Sequence, residues 1–275
     1  MLVVLLGALL HASWNTVVKS GRDVFLDTVL IAAGGAVAAA AALPLLPLPL
    51  VASWPFAAVS AAIHVAYFAL VAAAYRAGDM SFAYPLMRGT APLLVALASG
   101  PLLGEAVGAV AWAGMLLISG GILGLTLVYR RPGRPILAPT GFALVNAVVI
   151  ATYTFVDGVG ARLSGHAMAY TAWMLLFTAL PLLAWSLRRR PATFVDYLRA
   201  RWRLGLFGGA CSFASYALAL WAMTRAPIAP VAALRETSIL FGMALAALVL
   251  KERFGVVRAL AAATIAAGVM TLRLA

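Results

Sequence analysis

The feature that most constrains this chain is a series of ten apolar runs, each about as long as a bilayer is thick. They occupy residues 2–19, 25–43, 55–76, 80–102, 106–128, 139–161, 166–187, 203–225, 227–250 and 255–273. A helix needs about 20 mostly apolar residues to cross a membrane. The runs are about twice as long as a strand of a membrane β-barrel and lack the alternation of such strands. The sequence therefore predicts an all-α integral membrane protein with ten transmembrane helices.

The overall composition excludes a water-soluble domain. Hydrophobic residues make up 65% of the 275 residues and charged residues only 10%, whereas a soluble domain has about 25% charged residues. The net charge of +12 does not indicate nucleic-acid binding, because the basic residues lie between apolar runs without interleaved aromatic residues. Cys211 is the single cysteine, so the chain cannot form an internal disulfide. The first run begins at Met1 without a basic leader, and we expect it to be retained as a helix.

The two halves of the chain repeat each other. The segment LMRGTAPLLVALASGPLLGEAV, residues 86–107, aligns without a gap with ALRETSILFGMALAALVLKERF, residues 233–254. This register pairs Arg88 with Arg235, Thr90 with Thr237, Glu105 with Glu252 and Gly121 with Gly268. HASWN, residues 11–15, pairs more loosely with IATYT, residues 150–154. Because five helices per half is an odd number, the sequence predicts two inverted five-helix repeats, residues 1–130 and 137–275, with a binding site between them near the midplane.

The distribution of lysine and arginine predicts an orientation. Fourteen of the twenty lie in or beside the odd-numbered loops: Lys19, Arg22, Arg76, Arg130, Arg131, Arg134, Arg188, Arg189, Arg190, Arg199, Arg201, Arg203, Lys251 and Arg253. Only Arg162, Arg225 and Arg273 lie on the other side, and Arg88, Arg235 and Arg258 lie inside runs. Since positive loops stay in the cytoplasm, this pattern predicts cytoplasmic odd loops, including the stretch RRRPATFVDYLRARWR, and outward-facing termini.

Arg88 lies about nine residues into the fourth run, where a cation costs about 2.5–3.5 kcal/mol on insertion scales. One interpretation is a structural ion pair, or a bond to carbonyls freed by Pro85 and Pro92. The other is that Arg88 faces a water-filled cavity and binds an anionic group of a substrate. Arg235 is followed by Glu236, which could neutralise Arg235 or pair across to Arg88. We expect one arginine to be structural and assign Arg88 as the ligand.

Other polar side chains share single helical faces. His11, Trp14 and Asn15 do so on the first run, His64, Tyr67 and Tyr75 on the third, Tyr84 with Arg88 on the fourth, Asn146, Tyr153 and Asp157 on the sixth, and Ser212, Ser215 and Tyr216 on the eighth. Each set alone is explained by interhelical hydrogen bonds, but together they predict a polar cavity. The predicted substrate-binding residues are Arg88, Tyr84, His11, Trp14, Asn15, His64, Tyr67, Tyr153, Tyr216, Arg235 and Glu236.

The fifth and tenth runs carry small residues and almost no polar ones, which predicts a scaffold or dimer-like packing role. Small residues spaced by four, at Gly120 and Gly124 and at Ala259, Ala263 and Ala267, let helices approach closely. Glu105 and Glu252 precede these two runs. We expect them to cap the N-termini of the two helices, where the helix dipole favours an anion.

No motif of a known catalytic class occurs, and no Cys/His metal cluster. We therefore predict no catalytic residues, no metal and no cofactor. An intramembrane enzyme would need Asp79 and Asp157 as a pair, but they lie near opposite ends of non-adjacent runs. His11 and His64 lie at membrane depth, where they would either relay protons or act as neutral hydrogen-bonding groups.

Several segments carry a family resemblance: LHASWN (10–15), AYRAGDMSFAYPLMRGTAPL (74–93), LLGE (102–105), YTFVDGVGAR (153–162), ALRETSILF and LKERFG. On these the chain resembles a ten-helix EamA-like member of the drug/metabolite transporter superfamily. The resemblance implies two EamA-type repeats around a central cavity, alternating access, and usually export of small metabolites such as amino acids by a secondary carrier. It also implies cytoplasmic termini, opposite to the lysine and arginine distribution.

These observations predict a multi-pass protein of the inner membrane that exports a small anionic or zwitterionic metabolite. Its partners would be the small-molecule substrate and the lipid bilayer, with a coupling ion or proton and a monomeric or homodimeric state left open. The alternatives are a carrier or flippase of a lipid-linked or hydrophobic compound, a passive channel, and an intramembrane enzyme.

Overall fold

A computed structural model describes residues 1–19, 23–78, 80–128, 136–189, 191–249 and 255–275. Its helices are α1 (Leu2–Lys19), α2 (Val24–Ala42), α3 (Trp54–Ala77), α4 (Met80–Leu103), α5 (Ala109–Val128), α6 (Leu137–Leu163), α7 (Ala167–Arg189), α8 (Pro191–Met223), α9 (Ile228–Arg235), α10 (Ser238–Val249) and α11 (Val256–Arg273). Two short 3₁₀ turns, Leu43–Leu45 and Val51–Ser53, lie between α2 and α3. No strand occurs within these ranges.

The prediction of a ten-helix membrane protein is confirmed. Within the described ranges, nine segments are long and apolar enough to cross a membrane, and α1 adds a shorter apolar segment, Leu2–Thr16. We call the end of the bundle with the α1–α2, α3–α4, α5–α6, α7–α8 and α10–α11 connections the odd end, and the opposite end the even end. The membrane orientation of the two ends stays a prediction.

The ninth predicted span, residues 227–250, is not one continuous helix. α9 ends at Arg235 and α10 begins at Ser238. The amides of Glu236 and Thr237 bond to the carbonyls of Ala233 and Leu234, three residues back instead of four. The Thr237 hydroxyl also donates to the Leu234 carbonyl at 2.7 Å, and such side-chain bonds compete with the helical ladder. The span is therefore broken beside two charged residues.

α8 is longer than its predicted span of 203–225, because it begins at Pro191. Proline is favoured at the first helical position, where its missing amide hydrogen is not needed. Thirty-three residues form a helix of about 50 Å, well above the ~30 Å of the hydrocarbon core. Most of the basic stretch RRRPATFVDYLRARWR, predicted as loop, is therefore helical.

Helix packing follows the symmetry expected of inverted repeats. α1 packs against α8, and the counterpart pair α6 and α3 also packs together. α2 packs against its own counterpart α7, and α5 against its counterpart α11. The α4–α6 contact corresponds to the contacts of α1 with α9 and α10. These paired contacts support the two repeats, whose boundaries, 1–130 and 137–275, stay a prediction.

The α5–α11 contact has the same symmetry at the level of single residues. A Cβ added to Gly121 would lie 3.0 Å from the Ala261 carbonyl oxygen and 2.8 Å from Ile265. A Cβ added to Gly268 would lie 2.6 Å from the Gly114 carbonyl oxygen. Since Gly114 and Ala261 correspond in the repeat register, as do Gly121 and Gly268, each helix presents the same small positions to the other. This close packing supports the predicted scaffold role of the two helices.

The small residues singled out in the sequence do not lie in the α5–α11 contact, and their role in dimer-like packing stays a prediction. A Cβ at Gly120 or Gly124 would meet nothing within 4 Å. Ala259, Ala263 and Ala267 are exposed on the outer face of α11. A four-residue spacing of small residues occurs by chance in such alanine-rich helices, and here it selects the outward face.

Some sequence predictions fall on residues outside the described ranges. These are the charged residues Arg22, Asp79, Arg130, Arg131, Arg134, Arg190, Lys251, Glu252 and Arg253.

Candidate functional site

A central cavity lies between the two repeats. The volume that the centre of a water molecule can reach is about 100 Å³, several times the ~10–15 Å³ that one water molecule needs on this measure. Eight predicted site residues line it: His11, Trp14, His64, Tyr67, Arg88, Tyr153, Tyr216 and Arg235. The wall reaches from mid-depth toward the odd end, because it includes Trp14 in the second half of α1 and Thr28 near the start of α2.

Part of the wall was missed by sequence reasoning. α2 contributes Thr28, Ile31 and Ala32, and α7 contributes Met174 and Thr178. Single hydroxyl groups among apolar residues form no polar face, so these two helices gave no periodic signal. The packing of α2 against α8 depends on glycine, since a Cβ at Gly34 would lie 2.0 Å from the Gly205 carbonyl oxygen.

Arg88 forms an ion pair with Glu236 across the repeats. Its Nε lies 2.8 Å from Oε2 of Glu236, and the two side chains are only 3% and 5% exposed. One terminal nitrogen of Arg88, Nη2, lies 3.4 Å from Nε2 of His11. Of the two options open from the sequence, Glu236 therefore pairs across to Arg88. The charge of Arg88 is balanced inside the bundle.

Arg235 is arranged differently from its repeat counterpart. Its guanidinium carbon lies 4.9 Å from the centre of the Tyr216 ring, within the range of a cation–π interaction. No described carboxylate lies within 4.0 Å of it. Arg235 is buried and lines the cavity. A positive charge without a described anionic partner therefore borders the cavity at the point where the ninth span is broken.

Stacked aromatic rings form another part of the wall. The His64 and Tyr153 ring centres are 4.3 Å apart, and Tyr67 and Tyr216 lie 5.8 Å from Tyr153 and 5.9 Å from His64 respectively. Nδ1 of His64 lies 2.9 Å from the Ser60 carbonyl oxygen. Since a carbonyl only accepts, Nδ1 carries the proton of this bond, and Nε2 of the neutral ring is an acceptor.

Asp157 lies behind this wall and is fully buried. The Tyr170 hydroxyl donates to its Oδ1 at 2.9 Å, and the Tyr216 hydroxyl donates to its Oδ2. The two donors come from α7 and α8, whereas Asp157 belongs to α6. Tyr216 thus contacts the carboxylate with its hydroxyl and Arg235 with its ring.

Three predicted site residues do not line the cavity. Tyr84 is half-buried on α4, and Asn15 donates from Nδ2 back to the His11 carbonyl at 3.0 Å. Glu236 does not line the cavity itself but forms an ion pair with Arg88, which does. Asn146, which was grouped with Tyr153 on the polar face of the sixth run, does not line the cavity and donates to the Met87 sulfur at 3.2 Å.

The even end of the bundle is held together by Glu105 and Arg162. Arg162 Nη2 lies 2.6 Å from Glu105 Oε1, and the Ile228 amide donates to Glu105 Oε2 at 2.8 Å. Arg162 also donates to the Met223 carbonyl at 2.8 Å and to the Ala226 carbonyl at 3.0 Å. The prediction that Glu105 caps the helix following it was wrong, because Glu105 caps α9 of the other repeat. Its counterpart Glu252 lies outside the described ranges.

No group of three or more His, Cys, Asp or Glu side chains suited to a metal ion occurs in the described part of the chain. The charged groups at the cavity are Arg88, Arg235 and the neighbouring Glu236. Such a site can bind a charged solute by ion pairing.

Comparison with known proteins assigns this fold and cavity to a class. The profile of the EamA-like transporter family matches residues 139–274. One solved crystal structure superposes on 99% of this chain and 96% of its own, with a TM-score of 0.79 at 20% identity. Comparison with curated proteins gives no match.

The fold and the family match together define a membrane transporter of the drug/metabolite transporter type. Residues 139–274, the second repeat, belong to the EamA-like transporter family. The family resemblance noted in the sequence is thereby confirmed.

Proposed function

We propose that the protein is a secondary carrier of the inner membrane that exports a small anionic or zwitterionic metabolite, such as an amino acid, by alternating access. The observation that carries this proposal is Arg235, a buried cation that borders the central cavity without a described carboxylate partner. Buried cations in membrane proteins are costly and mark solute pathways.

Arg235 is the residue that we assign to the carboxylate of the solute. Arg88 was the ligand expected from the sequence, but Glu236 already balances its charge at 2.8 Å. A carboxylate of the solute that reached Arg88 would have to compete with Glu236. At Arg235 the carboxylate would instead meet a guanidinium that forms no ion pair with a described residue, and charge-assisted bonds of this kind are short and strong.

The rest of the solute would lie against the aromatic and apolar wall. The faces of Tyr67 and Tyr153 suit the ammonium group of a zwitterion, since ring faces attract cations. Trp14, Ile31 and Met174 also line the cavity and suit an apolar portion. Neutral Nε2 of His64 adds a hydrogen-bond acceptor.

The conformation supports loading from the odd end. The cavity wall reaches from mid-depth toward that end, whereas Glu105 and Arg162 pair at the even end. The lysine and arginine distribution predicts that the odd end is cytoplasmic. On that orientation, an exporter would take up its cargo from the odd end, and release at the even end would pass the Glu105–Arg162 contact.

The test is flux in proteoliposomes loaded with unlabelled amino acids and supplied outside with a ¹⁴C-labelled mixture of amino acids. We expect saturable counterflow that Arg235→Ala lowers by about tenfold or more, because one charge-assisted bond contributes about 1.5–3 kcal/mol. Arg235→Lys keeps the charge but not the planar fork, so its KM should rise. Arg225→Ala is the matched control, since Arg225 lies at the even end against Trp221.

Three other outcomes of the flux experiment would each contradict part of the proposal. Intact counterflow in Arg235→Ala, with loss in folded Arg88→Ala, would return the ligand role to Arg88. Flux that does not saturate would contradict a carrier and indicate a channel. No flux of any amino acid would contradict the substrate class.

A second candidate function is transport of a lipid-linked or hydrophobic compound. The apolar residues Trp14, Phe68 and Met174 in the wall favour it. Counterflow that is inhibited by a lysophospholipid, but not by unlabelled amino acids, would support this candidate over the first.

A further inference from the structure

All charged residues of α7 and α8 lie at the odd end of the bundle. They are five arginines and one acid: Arg188, Arg189, Arg199, Arg201, Arg203 and Asp196. The two helices are neighbours at this end, because α7 ends at Arg189 and α8 begins at Pro191. None of these arginines lines the central cavity. The proposed solute site therefore leaves a strongly positive part of the molecule without a function.

The middle arginine of the α8 series, Arg201, is turned toward α2. Its Nε lies 3.5 Å from Oδ1 of Asp27, whose side chain is fully buried. This ion pair fixes the rotation of α8 about its own axis. Arg199, Trp202 and Arg203 are spaced as neighbours on one helix face, and all three are exposed. One face of α8 therefore presents two guanidinium groups and an indole ring away from the bundle.

The start of α2 shows that α7 and α8 present a tryptophan ring at a similar depth. The ring centre of Phe25 lies 6.3 Å from that of Trp185 on α7. Two residues later, Asp27 pairs with Arg201 of α8, the sequence neighbour of Trp202, and two residues of helix advance only about 3 Å. Both tryptophans are about half exposed, and tryptophan is enriched where a membrane meets water. The two rings therefore mark the membrane interface at the odd end.

On both helices, arginine lies one turn on the water side of the tryptophan. Arg188 and Arg189 follow Trp185 by three and four residues along α7, toward its odd end. Arg199 precedes Trp202 by three residues along α8, which is also toward the odd end. One turn advances about 5.4 Å. These guanidinium groups therefore lie in the headgroup layer, where the lipid phosphates are.

The same face of α8 becomes apolar toward the middle of the membrane. The guanidinium carbon of Arg203 lies 5.4 Å from the centre of the Trp202 ring. Leu206 and Phe207 follow Arg203 by three and four residues, so they continue this face, and both are exposed. A molecule bound along the face would meet cations at one level and apolar side chains below it. A phospholipid has the matching order of phosphate group and acyl chains.

Few acidic groups oppose these cations. Asp196 lies 3.9 Å from Arg199, but both side chains are more than three-quarters exposed, and such a pair is weak in water. No described carboxylate lies within 4.0 Å of Arg188, Arg189 or Arg203. Arginine binds phosphate oxygens through two parallel hydrogen bonds. The exposed guanidinium groups are therefore available to a phosphate.

We propose that the odd ends of α7 and α8 form a binding site for anionic phospholipids of the adjacent leaflet. The arginines contact the phosphate groups, and Leu206 and Phe207 contact the acyl chains. Phosphatidylglycerol fits this site because its headgroup is a net anion. Phosphatidylcholine fits less well, because its choline cation would lie among the arginines. The site is separate from the central cavity, so this inference does not depend on the transported solute.

Native mass spectrometry of the full chain in detergent tests the site, with phosphatidylglycerol and phosphatidylcholine titrated separately. We expect phosphatidylglycerol to bind more tightly. Each arginine near an anionic lipid contributes about fivefold in affinity, so Arg199→Gln and Arg203→Gln should each raise the Kd of phosphatidylglycerol about fivefold. The matched control is Arg76→Gln, which removes an exposed arginine at the odd end of α3 and should leave this Kd unchanged.

Equal affinity for the two lipids would overturn the proposal. An equal rise in Kd for Arg76→Gln and Arg199→Gln would also overturn it, because the lipid would then respond to overall charge instead of to this site. Sodium phosphate at the lipid concentration should not displace phosphatidylglycerol, and displacement would indicate a site for free anions. If the variants fail to fold, the wild type decides the matter. Its binding of phosphatidylglycerol should weaken as ammonium acetate is raised, and salt-independent binding would contradict contacts between arginine and phosphate.

Discussion

Arg88 of the first repeat and Glu236 of the second form a buried ion pair in the middle of the bundle, with 2.8 Å between Nε and Oε2. The pair joins α4, which contains prolines, to the break between α9 and α10. It therefore fixes the position of the proline-containing fourth span relative to the interrupted ninth span. It also decides which of the two equivalent arginines remains available to a solute.

The first prediction concerns the removal of one partner of this pair. Glu236→Gln leaves the Arg88 charge buried without an anion, and breaking such a pair costs about 3–5 kcal/mol. We expect a clearly lower midpoint of thermal unfolding in detergent. The double variant Arg88→Gln with Glu236→Gln should be less destabilised than the sum of its single changes, since the two residues interact directly.

The exposed pair Asp196–Arg199 provides the control for that experiment. Its side chains are 76% and 79% exposed at a separation of 3.9 Å, and exposed pairs contribute about 0.2–1 kcal/mol. Asp196→Asn should therefore change the midpoint little. Equal effects of Asp196→Asn and Glu236→Gln would contradict a special role of the buried pair.

The second prediction tests the symmetric contact of α5 and α11. Gly268→Ala places a Cβ 2.6 Å from a backbone oxygen of Gly114, so the two helices must separate, and overpacking of this kind costs about 1–3 kcal/mol. Gly120→Ala places its Cβ in open space, and alanine is the better helix former by about 1 kcal/mol. Thermal unfolding should show a loss for Gly268→Ala and no loss for Gly120→Ala. The reverse order would place the contact on the other face of α5.

Length and hydropathy were enough to predict most of this fold. The ten spans follow from apolar runs, and α1, α3, α6 and α8 each place at least one predicted polar side chain in the wall of one cavity. The break after Arg235 was not predictable in this way, because apolar residues continue on both sides and rerouted hydrogen bonds leave hydropathy unchanged. The helical start of α8 was hidden by its charged residues.

The contacts at the site that could not be predicted from the sequence escaped prediction for a different reason. Which arginine pairs with Glu236 depends on how the two repeats pack, and the spacing within either repeat is equally compatible with both answers. The capping of α9 by Glu105 is likewise a contact between repeats, 123 residues apart in the chain. Periodicity describes a helix face, and it carries no information about the helix that the face meets.

The third prediction separates the two roles of Glu105. Glu105→Gln loses the ion pair with Arg162 but keeps an oxygen that accepts from the Ile228 amide. Glu105→Ala loses both interactions. We expect a small loss for Gln, since the pair is partly exposed, and a further loss of about 0.5–2 kcal/mol for Ala from the missing cap. Thermal unfolding of the two variants measures the difference, and equal midpoints would show that the cap contributes nothing.

The last prediction concerns Gly160, which lies against the ring of Tyr170. Gly160→Ala brings a Cβ within 2.6 Å of ring atoms that cannot rotate away, so Tyr170 must leave Asp157 or α6 must move from α7. Either change leaves a buried acid with one hydroxyl partner fewer, and an unsatisfied buried group costs about 1–3 kcal/mol. Gly141→Ala, on the same helix with open space around its Cβ, should be neutral or stabilising. Thermal unfolding compares the two, and tyrosine fluorescence with and without Tyr170→Phe reports whether that ring has moved. Equal stability of the two alanine variants would mean that Gly160 is not required for the contact between Tyr170 and Asp157.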